Sequence, residues 1–548
     1  MTCLCFPLAT VYLAVLPLQT APASADQRAP VALYDLLRST EGACTKIENG
    51  LQRDSALREL ATAWAELGQA EEVRRVLDAE SAPHWRAPGQ LVAALAAAGK
   101  LEDAETIAAQ YGHDYSRPHD FVTVARMRAA RGDSTEARRL LQQAVPWATE
   151  HKDWRLLADA ATALAQISDR GQAAQVFSAA VEAERAELPS DKGGGEMSLA
   201  ERQARAGFRE EAIKTATGDS IAMAETAIAI GKAGDCALAK KAAHECHPWH
   251  GVWALETIAQ QEQIAGQKEA ADETMNQAEA LLSRLDEPLF RDMKRVAVAE
   301  TYAKLGRLDR VRPLLDGMES DQRVTRRING LPAIAAAAAK HDRAFAGALV
   351  AEVLQNIAVV TDRYEHADTL QKIALVQANL GQTEAAAQTL RSAAEYAGET
   401  FRLDRKRDST SISLKWIAMA QAKIGARDDA AHTFALAVQA GQESGASVRL
   451  CEAAEGQADA GFFAEAVTTT AKIDLPGPRQ ASYQTIATRQ AAARGWAEPL
   501  EWVRKLDDPQ ERASALAGIA AGLAQAERVK RSSGTGTEGA PRTQPTAP

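Results

Sequence analysis

Small and large apolar residues recur along most of the chain at fixed distances from a repeated turn. A large aliphatic residue and an alanine stand eight and seven residues before the turn, as Ile373-Ala374 do before Gly381. Ala386, Leu390 and Ala393 follow that glycine at five, nine and twelve residues, which are spacings of one α-helical face. Turns lie roughly 36 residues apart, a period typical of repeat proteins. They are marked by Gly68, Gly99, Gly132, Ser168, Gly207, Gly234, Gly266, Gly306, the stretch Lys340–Asp342, Gly381, Gly425, Gly461 and Gly495.

This pattern predicts pairs of helices. The first helix ends at the glycine, which tolerates the left-handed conformation common at a helix C-terminus. The second helix begins two or three residues later, and alanines near the turn let the two helices cross closely. One pair covers only part of its own apolar surface, so neighbouring pairs must stack. We therefore predict an all-α fold, an α-α superhelix of 12–13 helix-turn-helix repeats forming an elongated solenoid with a groove.

Composition and charge support this fold and narrow the classes of partner. Hydrophobic residues make up 46% of the chain but aromatic residues only 5%. Alanine and leucine dominate the apolar share, which favours helix packing over sheets. The net charge of −10 is spread along the chain, without the basic stripe typical of nucleic-acid binding. No apolar run is long enough for a transmembrane span.

The two ends of the chain differ from its repetitive middle. Residues 1–25 carry no charge, contain an apolar run from Leu8 to Leu18 and end in Ala23-Ser24-Ala25. These features are typical of a secretory signal peptide, which predicts a periplasmic or secreted protein. Without such a signal the protein would be cytoplasmic. We further predict repeats over 26–186, a Gly-rich linker at 187–196, repeats with a capping helix over 197–528, and a disordered tail at 529–548.

One cluster of side chains could bind a metal. His244, Cys246, His247 and His250 lie within seven residues, and imidazole and thiolate suit zinc or copper. Their spacing matches neither a zinc finger nor the H-E-x-x-H motif. The simpler interpretation is an ordinary helix end, where histidine is favourable. The sequence contains no familiar nucleophile motif, so we predict no enzyme activity and no cofactor. Cys44, Cys236, Cys246 and Cys451 are expected to be free thiols, because in a solenoid only neighbouring repeats touch.

The spacing resembles that of the tetratricopeptide repeat family. The resemblance covers most of Leu51 to Val503 in about thirteen degenerate copies, the best being Leu370 to Ala393 and Leu414 to Ala437. Trp64 and Trp416 fall at or beside packing positions and are expected in the core. The resemblance implies that first helices line a concave surface that binds peptides or proteins. The residues it places there are Arg58, Thr62, Arg126, Trp253, Gln260, Asp368, Gln371, Asn379, Lys415, Met419 and Lys423.

The function that follows is a non-catalytic scaffold that binds a peptide or a partner protein. Two alternatives stay open at this stage. One is a metal-binding or sensing protein that uses the His244–His250 cluster, and the other is a regulatory subunit of a separate enzyme. The sequence leaves the partner, the biological process and the oligomeric state open.

Overall fold

The computed structural model describes residues 29–78, 89–187, 199–403 and 409–534. Within these ranges it contains 28 α-helices, two short 3₁₀ turns and no β-strand, which confirms the all-α prediction. The predicted signal peptide lies outside the described residues, as do nearly all of the predicted linker and residues 535–548 of the tail. The helices are α1 (Ala29–Cys44), α2 (Gly50–Glu66), α3 (Ala70–Asp78), α4 (Gly89–Ala97), α5 (Leu101–Tyr111), α6 (Ser116–Ala130), α7 (Ser134–Glu150), α8 (Trp154–Gln166), α9 (Arg170–Glu187), α10 (Leu199–Arg205), α11 (Arg209–Ala216), α12 (Ser220–Lys232), α13 (Cys236–Glu245), α14 (Pro248–Ile264), α15 (Lys268–Leu282), α16 (Pro288–Lys304), α17 (Val311–Asp316), α18 (Arg323–Ala338), α19 (Arg343–Asn356), α20 (Arg363–Asn379), α21 (Thr383–Leu403), α22 (Ser409–Lys423), α23 (Arg427–Ser444), α24 (Ser447–Asp459), α25 (Phe463–Thr470), α26 (Pro476–Arg494), α27 (Ala497–Val503) and α28 (Pro509–Gly534).

Helices α2 to α27 form thirteen consecutive pairs, each an even-numbered first helix followed by an odd-numbered second helix. All eleven turn glycines have positive φ values, between 69° and 91°, which confirms their predicted role at the C-terminus of a first helix. Ser168 adopts the same conformation with φ 64°. The remaining turn, at Lys340–Asp342, is one residue longer and contains no residue with a positive φ value.

A buried polar pair joins the two helices in each of two repeats. The Thr389 hydroxyl on α21 donates to the Gln377 side-chain oxygen on α20 at 2.8 Å, and both residues are buried. In the repeat formed by α14 and α15, the Thr274 hydroxyl donates to the Glu262 carboxylate at 2.6 Å. These two residues occupy the places that Thr389 and Gln377 have in their repeat. The partners stand twelve residues apart, four before the turn glycine and eight after it. Polar pairs therefore occupy a place between the two helices that Trp64 fills in the first repeat.

Some linkers between pairs share a side-chain bond to the backbone. The Arg479 guanidinium donates to the Ile473 carbonyl oxygen at 2.8 Å, six residues earlier, and Pro476 begins the next helix between them. Arg291 bonds Leu285 and Arg512 bonds Leu506 at the same separation. Proline suits the first residue of a helix because the missing N–H is unused there. These bonds fix the angle at which one pair follows another.

The two ends of the chain meet in the structure. Helix α28 packs against α26 on one side, α2 on the other, and α1 beside it. The Gln510 side chain donates to the Gln52 carbonyl oxygen at 2.7 Å, and the Cys44 thiol lies 3.7 Å from the Pro509 carbonyl oxygen. Helix α28 has the place of a first helix and α1 that of a second helix. Together they make a fourteenth pair from opposite ends of the chain, and the array closes into a ring.

This closure differs from the elongated solenoid and the terminal cap that the sequence suggested. The helix predicted over Gln510–Glu527 is present, but it runs from Pro509 to Gly534 and has a neighbour on each side. Every residue from 513 to 520 is buried, as in a helix that is covered all round. Gly518 and Gly522 bring α28 very close to α26, because a Cβ at either position would overlap a backbone carbonyl oxygen of α26. The first six residues of the predicted tail are helical.

First helices form the inside of the ring. Each one contacts the next all the way round, including α26 to α28 and α28 to α2, whereas successive second helices contact each other at only some joints. Helices in contact lie closer together, so they occupy the smaller radius. A circle of fourteen helices spaced 8–10 Å apart leaves an opening of roughly 25–35 Å between helix surfaces. A small rotation of the same sign at each joint accumulates to a full turn, which the repeat spacing alone does not reveal.

Candidate partner-binding surface

The ring has an inner surface made of exposed side chains on first helices. Each first helix is covered by a neighbour on both sides and by its second helix on the outside. Its exposed residues therefore face the opening or one of the two rims. All eleven predicted partner-binding residues lie on first helices, but on separate parts of the ring. Arg58 and Thr62 are on α2, Arg126 on α6, Trp253 and Gln260 on α14, Asp368, Gln371 and Asn379 on α20, and Lys415, Met419 and Lys423 on α22.

Several of these residues already have partners within the protein. Arg126 pairs with Asp159 of the neighbouring α8 at 3.4 Å, and Asp368 pairs with Lys372 at 2.6 Å. The Thr62 hydroxyl donates to the carbonyl oxygen of Arg58 one turn earlier. Only α20 and α22 are adjacent, so the structure does not bring the eleven residues into one patch. The candidates fall into local groups around the opening.

Lys415 and Trp416 depart from the predictions made for them. The Lys415 chain packs against α24, where a Cβ at Gly456 would lie 2.6 Å from the lysine Cγ, and its ammonium lies 4.6 Å from the centre of the Trp416 ring. Burial lowers the pKa of Lys415, although nearby acidic residues of α24, Glu452 foremost, oppose the shift. Trp416 is 45% exposed, so its placement in the core was wrong, while Trp64 is fully buried as predicted. Trp416 stands nine residues before the turn, on the inner side, whereas Trp64 stands four before it, between the two helices.

Exposed or half-buried apolar side chains stand on the inner surface near the N-terminal ends of the adjacent first helices α12, α14 and α16. Ile221 is 50% exposed, Trp253 39% and Phe290 45%, and Met293 beside them is half-buried. We call these four residues the apolar patch. Only Trp253 was among the predicted residues. Ile221, Trp253 and Met293 each stand thirteen residues before their turn glycine, so counting from the glycine in every repeat would have found Ile221 and Met293 but not Phe290.

Behind the patch lies an aromatic and charged layer that links α14 to α16. The Trp249 and Phe290 rings are 5.6 Å apart, and the Lys294 ammonium lies 4.3 Å from the centre of the Trp249 ring. Glu256 is buried nearby, and burial raises the pKa of its carboxyl to about 7, against the opposing charge of Lys294. Burial likewise lowers the pKa of Lys294. These interactions hold the backbone beneath the patch in place.

The histidine and cysteine cluster has other partners. His244 Nε2 lies 3.0 Å from the Gln277 side-chain oxygen, and His250 Nδ1 lies 2.9 Å from the Ser220 hydroxyl. His247 Nδ1 accepts the Trp249 N–H at the start of α14. The Cys246 thiol is buried and donates to the Ala242 carbonyl oxygen, and burial raises its pKa to about 11. The described residues contain no group of three histidine, cysteine or acidic side chains placed to hold a metal ion.

The four cysteines at 44, 236, 246 and 451 are free, as predicted. Cys44 and Cys246 are buried, and the other two are partly exposed. Among the described residues, no helix combines the length and the hydrophobicity that crossing a bilayer requires.

Comparison with known proteins adds little to this description. No family model and no curated protein matches the chain. Similar solved structures include Ton1535 from Thermococcus onnurineus NA1, with 16% identity over 58% of this chain and 97% of that chain and a TM-score of 0.26. A chain of the Naa15/Naa10 complex bound to HypK-THB has 14% identity over 87% of each chain and a TM-score of 0.27. A circular tandem repeat protein with novel repeat topology and enhanced subunit contact surfaces has 12% identity, 92% and 99% coverage and a TM-score of 0.16.

Proposed function

We propose that this chain is a non-catalytic protein-binding scaffold, a tetratricopeptide-like array that holds a partner protein or peptide against the inner surface of its ring. The observation that carries the proposal is the exposure of apolar side chains on the inner side of a closed array. Trp253 is 39% exposed, and Ile221 and Phe290 on the two adjacent first helices are 50% and 45% exposed. Neighbouring exposed apolar residues of this size are typical of interaction sites.

Ring closure also favours binding. Each first helix is fixed on both sides by its neighbours, so the backbone that carries the inner side chains is rigid before a partner arrives. Binding to a rigid surface avoids part of the entropy cost of ordering it. An opening of roughly 25–35 Å is wide enough for two or three helices of about 10 Å diameter lying side by side.

Site-specific photo-crosslinking in an extract of the source organism tests this proposal. A benzophenone amino acid placed at Gln260 or Asn379 lies on first helices, and the same group at Gln143 lies on the exposed side of the second helix α7. We expect one protein to be crosslinked from both inner positions and not from position 143. Crosslinks from position 143 alone, or none from either inner position, would contradict binding inside the ring.

A further inference from the structure

The apolar patch lies at one end of an inner surface whose side chains change from apolar to basic along the helix axis. At the C-terminal ends of the same group of first helices stand basic residues, Lys232 on α12 and Lys304 on α16, each two residues before its turn glycine. Lys340 lies in the turn that ends the next first helix, α18. Ile264, at the equivalent place on α14, lies between them and is 78% exposed. We call the three lysines the basic rim.

Two lysines of the basic rim have charges available for a partner. Lys304 pairs with Glu300 one turn earlier at 2.8 Å. Lys232 and Lys340 are exposed and form no ion pair with any described residue. A cation at a helix C-terminus is favourable in itself. Unlike α4–α10, these helices also carry the apolar patch at their opposite ends.

The first helices that precede this group in the ring, α4 to α10, have a different inner surface. There the inner charges of α6, α8 and α10 neutralise one another, because Asp159 accepts from Arg126 at 3.4 Å and from Arg202 at 2.9 Å. None of the large exposed apolar side chains lies on α4, α6, α8 or α10 within the described residues. An apolar surface combined with unpaired cations therefore distinguishes α12–α18 from α4–α10. A smaller surface of the same kind, with Trp416, Val448 and Lys423, lies on α22 and α24.

The distance between the apolar patch and the basic rim sets the length that a partner helix needs to contact both. Eleven residues of helix separate the patch position from the rim position, which is about 16 Å at 1.5 Å per residue. A partner helix lying along α14 would span the same distance in three turns. Its residues at i, i+4, i+7 and i+11 would lie on one face.

We infer that the inner surface of α12–α18 binds an acidic amphipathic helix of a partner protein, with its apolar residues on the apolar patch and its acidic residues at the basic rim. This inference rests on the proposed function and specifies the partner's chemistry. Apolar anchors supply most of the affinity, since burying aromatic side chains dominates interface energetics. The unpaired lysines select acidic over basic partners through electrostatic complementarity.

Fluorescence anisotropy with three labelled peptides of about 18 residues, five helical turns, tests the inference on the full chain. The first peptide carries Leu and Phe at one end of a helical face and Glu at the other end of the same face, with Ala and Gln at the remaining positions. The second replaces every Glu by Lys, and the third scrambles the first to destroy the apolar face. The protein variants are Trp253→Ala, the double variant Lys232→Glu with Lys340→Glu, and the control Lys214→Glu with Lys241→Glu. The control places the same charge change on exposed sites of the second helices α11 and α13.

We expect the acidic amphipathic peptide to bind the native protein and the control alike, and to lose at least about tenfold in affinity in each of the other two variants. The Lys peptide should bind the double Glu variant more tightly than it binds the native protein. This exchange of preference cannot come from unfolding, which would weaken both peptides. Equal binding of the scrambled peptide, unchanged affinity in the Trp253 or double Glu variant, or no saturable binding of the acidic peptide would each overturn the inference. If crosslinking from Gln260 and Asn379 still captures a partner in that case, the proposed function stands and only the partner's chemistry is wrong.

Discussion

A single core substitution in α28 should affect the other end of the chain. Leu516 is fully buried in a stretch of eight consecutive buried residues. Leu516→Ala removes three carbon atoms from a site that cannot collapse easily, because α28 is held against α26 by Gly518 and Gly522. Buried leucine-to-alanine changes cost about 2–5 kcal/mol. We expect the upper half of that range here.

The location of the effect distinguishes a ring from an open array. If α28 closes the ring, its loosening exposes the packed faces of α1 and α2, more than 450 residues earlier in the sequence. Hydrogen exchange measured by mass spectrometry reports local opening. A loss of 2–5 kcal/mol corresponds to about 30- to 5,000-fold faster exchange where opening governs it.

Leu390→Ala in α21 is the matched control, because Leu390 is also fully buried. We expect a comparable loss of stability, with faster exchange near α20–α22 and unchanged protection in α1 and α2. If the hydrogen-exchange rates of α1 and α2 are the same in the Leu516→Ala variant as in the native protein, α28 does not cover those helices and the ring is refuted.

Three further predictions concern packing and titration. Gly518→Ala should destabilise the protein by about 1–3 kcal/mol or more, because its Cβ would overlap the α26 backbone, whereas Gly347→Ala, where the Cβ meets nothing, should stabilise by up to about 1 kcal/mol in chemical denaturation. Gln377→Ala should cost about 1–3 kcal/mol by leaving the buried Thr389 hydroxyl unpaired, and the double change Gln377→Leu with Thr389→Val should recover most of that loss. Burial raises the pKa of Asp120 to about 7, so the folded protein resists its ionisation, and the associated stability, full below about pH 4, is lost as pH rises towards 7. Asp120→Asn should therefore match the native protein in denaturation midpoint near pH 4 and exceed it at pH 8, and equal midpoints at pH 8 would contradict this assignment.

The sequence predicts the repeat unit well and its closure poorly. Each turn glycine, such as Gly381, acts through its own backbone conformation, which is a local property that spacing reveals. Ring closure depends on the sum of small rotations at fourteen joints, and no single joint carries it. A clue was nevertheless present, because residues 513–524 of α28 contain no charged side chain. A capping helix needs a polar outer face, so an apolar helix at the end of an array predicts a neighbour on both sides.

The sequence predicts the place of the candidate surface better than the availability of its residues, for a similar reason. Its placement on first helices follows from the repeat, and all eleven candidates lie there. Which of them stay available depends on neighbouring repeats, and Lys415 is an example, since its chain packs against Gly456 of α24. Ile221 and Met293 were missed because an isolated apolar residue on a helix resembles a core residue until the register of its own repeat is counted from the glycine.

The contact between the two chain ends, which closes the ring, can be measured directly as a distance. Spin labels at Thr45→Cys and Asp507→Cys, both exposed, lie next to Cys44 and close to Pro509, which are in contact. The partly exposed Cys236 and Cys451 would first be replaced by serine. Pulsed electron paramagnetic resonance should give a distribution centred below about 25 Å, since consecutive Cα atoms are only about 3.8 Å apart. An open array of thirteen pairs, each step about 8–10 Å along the solenoid, would place the labels more than about 50 Å apart, and that result would contradict the ring.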